Sequence, residues 1–173
     1  RSVKNFEKAI SLCTHEIIFL SDQDDVWLPE KVETFVNFFN ENPSANVLCS
    51  NGYGIDENTN TLDVLTVWDF PGIIKKQQGT VNYFKTIAYA SNIATGATMA
   101  IRSSFRSSVL PIPEIPGYHH DEWMALLASK ANSFELLGKK LIKYRMHGSQ
   151  QVGGVFYKNS KKTLKRQLSF FDI

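Results

Sequence analysis

The sequence predicts an α/β fold with a layered architecture. Three observations support this class. Short apolar runs of strand length recur along the chain, stretches with helical apolar spacing alternate with them, and clusters of Gly, Pro, Asn and Asp separate the two. Strands that alternate with helices are typical of layered α/β domains.

The first forty residues illustrate the alternation. Residues 3–13 carry apolar side chains at helical spacing, which predicts an amphipathic helix. Residues 16–20 are a short run with two Ile and a Phe, which predicts a buried parallel strand. A polar, acidic loop follows at residues 21–27. A second helix then begins near Pro29, a favoured first-turn residue, and ends at the Asn-Pro pair 42–43.

The remainder continues the pattern. Further strands are predicted at residues 47–53, 62–68, 96–101, 134–137 and 140–146, and further helices at residues 81–89 and 123–131. Residues 70–79 are expected to form a mobile loop, and Gly138 separates the last two strands.

Length and charge favour one domain. The chain has 173 residues, of which 43% are hydrophobic and 21% charged, which excludes a disordered, collagenous or coiled-coil protein. Residues 1–154 are assigned to this domain and residues 155–173 to a basic, amphipathic tail. The net charge of +2 arises from that tail, so a nucleic-acid-binding face is not expected. Cys13 and Cys49 are expected to be buried free thiols, which favours a reducing, cytoplasmic location.

The acidic loop is the strongest candidate site. It follows a predicted strand directly, and ligands of α/β sheets gather at the carboxyl ends of strands. In extended backbone Asp22 and Asp24 point to one side, where they would suit a divalent cation such as Mg²⁺. A solvated acidic turn with Asp25 as a local cap is the alternative.

Two other Asp-rich motifs were compared with this loop. A calcium-binding EF-hand loop requires Gly at its sixth position, where this chain has Trp27, so that reading fails. A haloacid-dehalogenase-like phosphohydrolase begins with Asp-x-Asp-x-Val after an apolar strand, and residues 22–26 match. That chemistry also needs a second acidic pair after another apolar strand to hold its Mg²⁺, and the sequence has none. A phosphohydrolase using Asp22 is therefore kept only as an alternative function.

Four stretches in a fixed order carry a family resemblance. They are IFLSDQDDVWLPEK at residues 18–31, GATMA at 96–100, HDEW at 120–123 and YRMHG at 144–148. Together they resemble family-2 glycosyltransferases, which implies the GT-A (Rossmann-like) fold, a mixed sheet flanked by helices. The first stretch is particularly similar to the rhamnosyltransferase-like branch of bacterial cell-surface polysaccharide synthesis.

The resemblance implies the central roles. Asp22 and Asp24 match the Asp-x-Asp motif that holds Mg²⁺ or Mn²⁺ and, through the metal, the donor's diphosphate. Asp121 matches the catalytic base of an inverting transfer. From its position alone, Asp121 also suits the N-cap of the helix predicted at residues 123–131.

It also implies contacts with substrate. Candidate substrate-binding residues are Asp22, Trp27, Gly96, Ala97, Thr98, Glu122 and Trp123, and candidate contacts to the leaving diphosphate are Arg145 and His147. Close packing is the alternative for residues 96–98, and a strand-end salt bridge is the alternative for Arg145. His119 and His120 are not expected to bind metal, because neighbouring side chains project apart.

The expected partners follow from the family. They are a nucleoside-diphosphate sugar donor, with dTDP-rhamnose as the first candidate, and a saccharide or lipid-linked saccharide acceptor. The family's N-terminal nucleotide-binding unit has no counterpart here, so the sequence is expected to be an N-terminally truncated fragment that is inactive alone. The basic tail is first interpreted as a solvated helix face, and peripheral contact of an amphipathic basic helix with the cytoplasmic face of the membrane is the alternative. A non-catalytic sugar-binding relic of the fold is the remaining alternative.

Overall fold

A computed structural model describes residues 2–146 and 156–169 and confirms the mixed α/β class. The helices are α1 Ser2–Leu12, α2 Lys31–Glu41, α3 Asp69–Gln78, α4 Tyr83–Lys85, α5 Arg106–Val109, α6 His120–Lys130 and α7 Lys161–Leu168. The strands are β1 Ile17–Phe19, β2 Val26–Trp27, β3 Val47–Ile55, β4 Val64–Thr66, β5 Met99–Arg102, β6 Phe134–Arg145 and β7 Phe156–Lys158. A π-helical turn, Thr86–Ala90, extends α4, and a 3₁₀ turn, Gly96–Thr98, leads into β5.

Five strands form the main sheet in the order β1-β5-β3-β6-β2, while β4 and β7 form a separate two-stranded sheet. The central pair, β3 and β6, is parallel, and β5 runs antiparallel to both β1 and β3. The strand expected at residues 16–20 is therefore present, but it pairs antiparallel with β5 rather than in parallel. Since β1, β3 and β6 nevertheless run in the same direction, their carboxyl ends meet at one edge of the sheet.

Side chains alternate between two cores on opposite faces of the sheet. On one face, Met99 and Ile142 pack with residues of α1 and α6. On the other face, Leu48 packs with Phe35 and Phe39 of α2, and both phenylalanines are fully buried. Each buried aromatic side chain of this kind contributes about 1.5–3 kcal/mol relative to exposure. The sheet thus has the helix-covered faces expected of this class.

Three more predicted segments differ from the structure. The strand predicted at residues 96–101 begins only at Met99, because Gly96–Thr98 form a 3₁₀ turn. Residues 70–79 are not a mobile loop, because α3 occupies Asp69–Gln78 and ends at Gly79, whose φ of 81° suits a helix C-terminus. The two strands predicted around Gly138 are the single strand β6, whose pairing with β3 shifts register at Ser50/Asn51 and Asn51/Gly52. A glycine in a strand marks an irregularity rather than an end here.

The cysteines and the tail follow the predictions more closely. Cys13 and Cys49 are both free, although only Cys49 is fully buried and Cys13 is half-buried. The basic helix expected in the tail is present as α7. None of the helices in residues 2–146 and 156–169 has the length and apolar character needed to cross a membrane.

Candidate active site

The acidic loop crosses the edge where the carboxyl ends of β1, β3 and β6 meet. It leaves β1 at one border of the sheet and enters β2 at the other border, because β2 pairs with β6. The amino end of β5 lies at the same edge, and the backbone N–H of Leu20 donates to the carbonyl of Met99 at 3.1 Å. This topology brings the loop next to the Gly96–Thr98 turn.

Arg145, the last residue of β6, fixes the loop. Its backbone N–H donates to Oδ1 of Asp25 at 2.9 Å, and its Nε donates to the carbonyl of Asp24 at 3.0 Å. Its Nη1 also donates to the carbonyls of Asp56 and Glu57. The guanidinium thus ties the acidic loop to the turn after β3. A contact between Arg145 and a diphosphate remains a prediction.

The carboxylates of the loop interact electrostatically. Burial raises the pKa of Asp22, and the negative charges of Asp24 and Asp121 raise it further. Burial likewise raises the pKa of Asp25 to about 6. Oδ2 of Asp25 is buried and has no hydrogen-bond partner among the residues that the structure describes. A cation placed among these groups would offset their mutual repulsion.

Asp121 is held against the Gly96–Thr98 turn. Its Oδ2 accepts a hydrogen bond from the backbone N–H of Gly96 at 2.8 Å, and its Oδ1 accepts from the N–H of Glu122. His119 occupies the N-cap position of α6, so Asp121 lies within the first turn and is not the N-cap. The motifs at residues 18–31, 96–100 and 120–123 therefore converge on one site.

Comparison with known proteins identifies the family. The family model described as glycosyl transferase family 2 matches residues 2–107, which include the acidic loop and the Gly96–Thr98 turn. This chain belongs to glycosyl transferase family 2. Among curated proteins, none matches the chain. The mixed sheet with helices on both faces is the GT-A, Rossmann-like architecture of this family.

The other predicted substrate-binding residues of the glycosyltransferase differ in their surroundings. Gly96, Ala97 and Thr98 are buried, and a Cβ on Gly96 would lie 3.0 Å from Nε2 of His120, so close packing accounts for this glycine. Glu122 is half-buried, and burial raises its pKa. The indole N–H of Trp123 donates to the carbonyl of Val109 at 3.0 Å, away from the acidic loop.

The carboxylates of the acidic loop are the candidate ligands for a metal ion. In residues 2–146 and 156–169, no three side chains of His, Cys, Asp or Glu are grouped as a metal site. A Mg²⁺ ion bound with a diphosphate requires only one or two carboxylates, since phosphate oxygens and water complete its shell. Asp22 and Asp24, whose charges act on each other, fit that requirement. His147, predicted to contact the diphosphate, lies outside the described residues.

Sequence reasoning missed two side chains of the glycosyltransferase site. Lys31 is fully buried, although lysine is ordinarily exposed. Its position on the same face of α2 as Phe35 and Phe39, at a spacing of four residues, was the available signal. Tyr144 packs against Trp68, and burial together with the charges of the acidic loop raises its pKa. No sequence pattern marked Tyr144 apart from its neighbour Arg145.

Proposed function

We propose that this glycosyltransferase transfers a sugar from a nucleoside-diphosphate sugar to a saccharide hydroxyl with inversion at the anomeric carbon. The observation that carries the proposal is the placement of Asp121, whose carboxylate is fixed by the N–H of Gly96 beside the loop that bears Asp22 and Asp24. A proton acceptor and a cation-binding pair at one sheet edge suit a single displacement.

Each group then has a defined task. Asp121 accepts the proton of the acceptor hydroxyl while the hydroxyl oxygen bonds to the anomeric carbon and the diphosphate leaves on the opposite face. Asp22 and Asp24 hold Mg²⁺ or Mn²⁺, and this ion, when bound, supplies charge neutralisation for the departing diphosphate. Inversion requires no covalent bond between the sugar and the protein.

The sugar, pathway and location are finer proposals. The stretch IFLSDQDDVWLPEK resembles the rhamnosyltransferase-like branch, which supports a rhamnosyl donor such as dTDP-rhamnose and a role in bacterial cell-surface polysaccharide synthesis. A cytoplasmic protein would meet such donors. The exposed basic side chains of α7 support a contact with anionic lipid headgroups. Membership of the glycosyltransferase family does not favour the phosphohydrolase or the relic.

The test exchanges the proton acceptor without changing its shape. In enzyme that turns over dTDP-rhamnose, we expect Asp121→Asn to lower kcat by about 10²–10⁴-fold, because general-base catalysis is typically worth that factor. The Asn side-chain oxygen can still accept from Gly96, but its NH₂ group replaces the oxygen that accepts from Glu122, so the melting temperature should fall modestly. The Mn²⁺ affinity should also fall, by far less than kcat, because the negative charge of Asp121 that acts on Asp22 is lost.

Glu122→Gln is the matched control, because it removes a carboxylate one residue further along α6. We expect this variant to keep its kcat, while any loss appears in KM, because Glu122 is a predicted substrate contact and not the predicted base. Loss of turnover in Glu122→Gln with retention in Asp121→Asn would assign the base to Glu122. Retention in both variants would contradict the proposed mechanism.

A further inference from the structure

Lys31 carries its charge into the interior of the site. It is the first residue of α2, and its side chain has 0% exposure. Its Nζ donates to the carbonyl of Ala97 at 2.7 Å and lies 4.1 Å from the centre of the Trp27 ring. The ammonium group thus touches both the 3₁₀ turn that precedes β5 and the end of the acidic loop.

The partners of this ammonium group are neutral. Within residues 2–146 and 156–169, Lys31 makes no direct ion pair with a carboxylate. Burying an unpaired cation is costly, and a carbonyl with an aromatic face offsets only part of that cost. Burial accordingly lowers the pKa of Lys31 to about 8, which still leaves it largely protonated at neutral pH.

The remaining compensation comes from charges at longer range. The carboxylates of Asp25 and Asp22 act on Lys31 and favour its charged form, and Lys31 in turn favours their ionised forms. In a poorly solvated site, charges interact over several ångströms more strongly than in water. Lys31 therefore partly neutralises the charges of Asp22 and Asp25 through space, without direct contact with either carboxylate.

We propose that Lys31 is an internal counter-cation of the acidic loop, a positioning residue that keeps the affinity for a free divalent cation low. The inference rests on the proposed metal-binding role of Asp22 and Asp24. A divalent cation meets a site whose negative charge is already partly offset, so it binds weakly until a diphosphate adds its own negative charge. The consequence is that metal and nucleotide bind together rather than metal alone.

The test is a Mn²⁺ titration of the protein at pH 7 without nucleotide, followed by water-proton relaxation. Lys31→Gln removes the charge and retains an N–H that can donate to Ala97, whereas Lys31→Met removes both. We expect both neutral variants to bind Mn²⁺ about tenfold more tightly than the wild type, because a repulsive charge is lost in a weakly screened site. Damage to the fold would instead weaken binding.

Three controls complete the set. Lys31→Arg keeps the charge and should bind within about twofold of the wild type, by the same Coulomb argument. Lys139→Met removes an exposed lysine and should leave the Mn²⁺ affinity unchanged. Asp24→Ala should abolish binding, which locates the ion.

The outcomes separate this inference from the proposed function. Equal or weaker Mn²⁺ binding in folded Lys31→Gln, with the wild type binding at Asp24, would overturn the role of Lys31 alone. Failure of both neutral variants to fold while Lys31→Arg folds would overturn it too, since the charge would then serve the fold. Binding in neither the wild type nor Lys31→Gln would refute both the metal-binding motif and this inference. Binding only in the neutral variants would support it.

Discussion

At the scale of single residues, the imidazole of His120 is packed like an apolar ring. It stacks on Phe6 with 3.7 Å between ring centroids, and its exposure is 8%. Both ring nitrogens are buried, and neither has a hydrogen-bond partner within residues 2–146 and 156–169. Burial lowers the pKa of His120, opposed in part by the negative charge of Asp121. The folded protein therefore disfavours the imidazolium form next to the proposed base.

This environment predicts a pH-dependent stability. The pKa of His120 is lower in the folded chain than its unfolded value of about 6.5, so the unfolded chain binds the proton first as the pH falls. We expect the contribution of His120 to lower the melting temperature as the pH drops below about 6.5, against the opposite contribution of Asp25, whose pKa is raised to about 6. His120→Phe, which keeps the stacking, should show a smaller fall over the same interval.

The matched control for this prediction is His15→Phe, which removes an exposed imidazole. The measurement is the melting temperature of the three proteins from pH 5 to pH 8. If His15→Phe flattens the curve as much as His120→Phe does, titration of His120 is not the cause.

At the scale of elements, glycines of β3 allow the two-stranded sheet to pack against the main sheet. A Cβ on Gly54 would lie 2.7 Å from Cε1 of Phe156 and 2.9 Å from Cγ2 of Val64. Both neighbours belong to the β4–β7 sheet, and the ring of Phe156 also packs against Trp68 and Tyr144. The contact therefore depends on the missing side chain.

We expect Gly54→Ala to lower the free energy of unfolding by about 1–3 kcal/mol, the usual cost of overpacking. Gly72→Ala is the matched control, because a Cβ on Gly72 in α3 meets nothing within 4 Å. In that variant the free energy of unfolding should rise by about 0.5–1 kcal/mol, because Ala in a helix loses less backbone entropy on folding than Gly does. Urea denaturation of both variants measures the difference. A stable Gly54→Ala would show that Phe156 moves aside without cost.

Sequence patterns predicted those elements whose own residues show a periodic apolar pattern. The apolar stripes of α1 and α2 gave those helices within about two residues, because one face of each is buried. The helix α3 was missed because Pro71 and Gly72 suggested a loop, although Pro suits a first turn and Gly79 suits the end. The strands β2 and β7 have two and three residues, and only their distant partners define them.

At the scale of the whole molecule, Cys49 reports on global unfolding. It lies in β3 between β5 and β6, its exposure is 0%, and burial raises the pKa of its thiol. In Cys13→Ser, which leaves only Cys49, we expect a thiol reagent to react at the rate of global unfolding. That rate should rise with urea. Rapid stoichiometric labelling of the native variant would contradict the placement of Cys49 in the sheet.

The candidate site was predicted only in part, because some of its residues come together through packing between distant parts of the chain. The order of motifs indicated which residues to expect, and the topology shows why Asp121 meets Gly96. The burial of Lys31 under Trp27 depends on the packing of α2 across the sheet. The spacing of Lys31 from Phe35 and Phe39 was a signal of this burial, but lysine is ordinarily exposed, so the residue type pointed the other way.

The strand order also has a consequence for synthesis of the chain. Within the described residues, no two neighbouring strands of the main sheet are joined by a hairpin. Both β1 and β3 pair with β5, which follows them in the sequence, and the central pair forms only when β6 is present. Pairings between distant segments close slowly, because loop entropy is lost before contacts form. As the chain leaves the ribosome, the helices can form early, but the sheet must wait until residues 99–102 have emerged. Its centre waits for residues 134–145, so the acidic loop is made long before the edge that holds it in place.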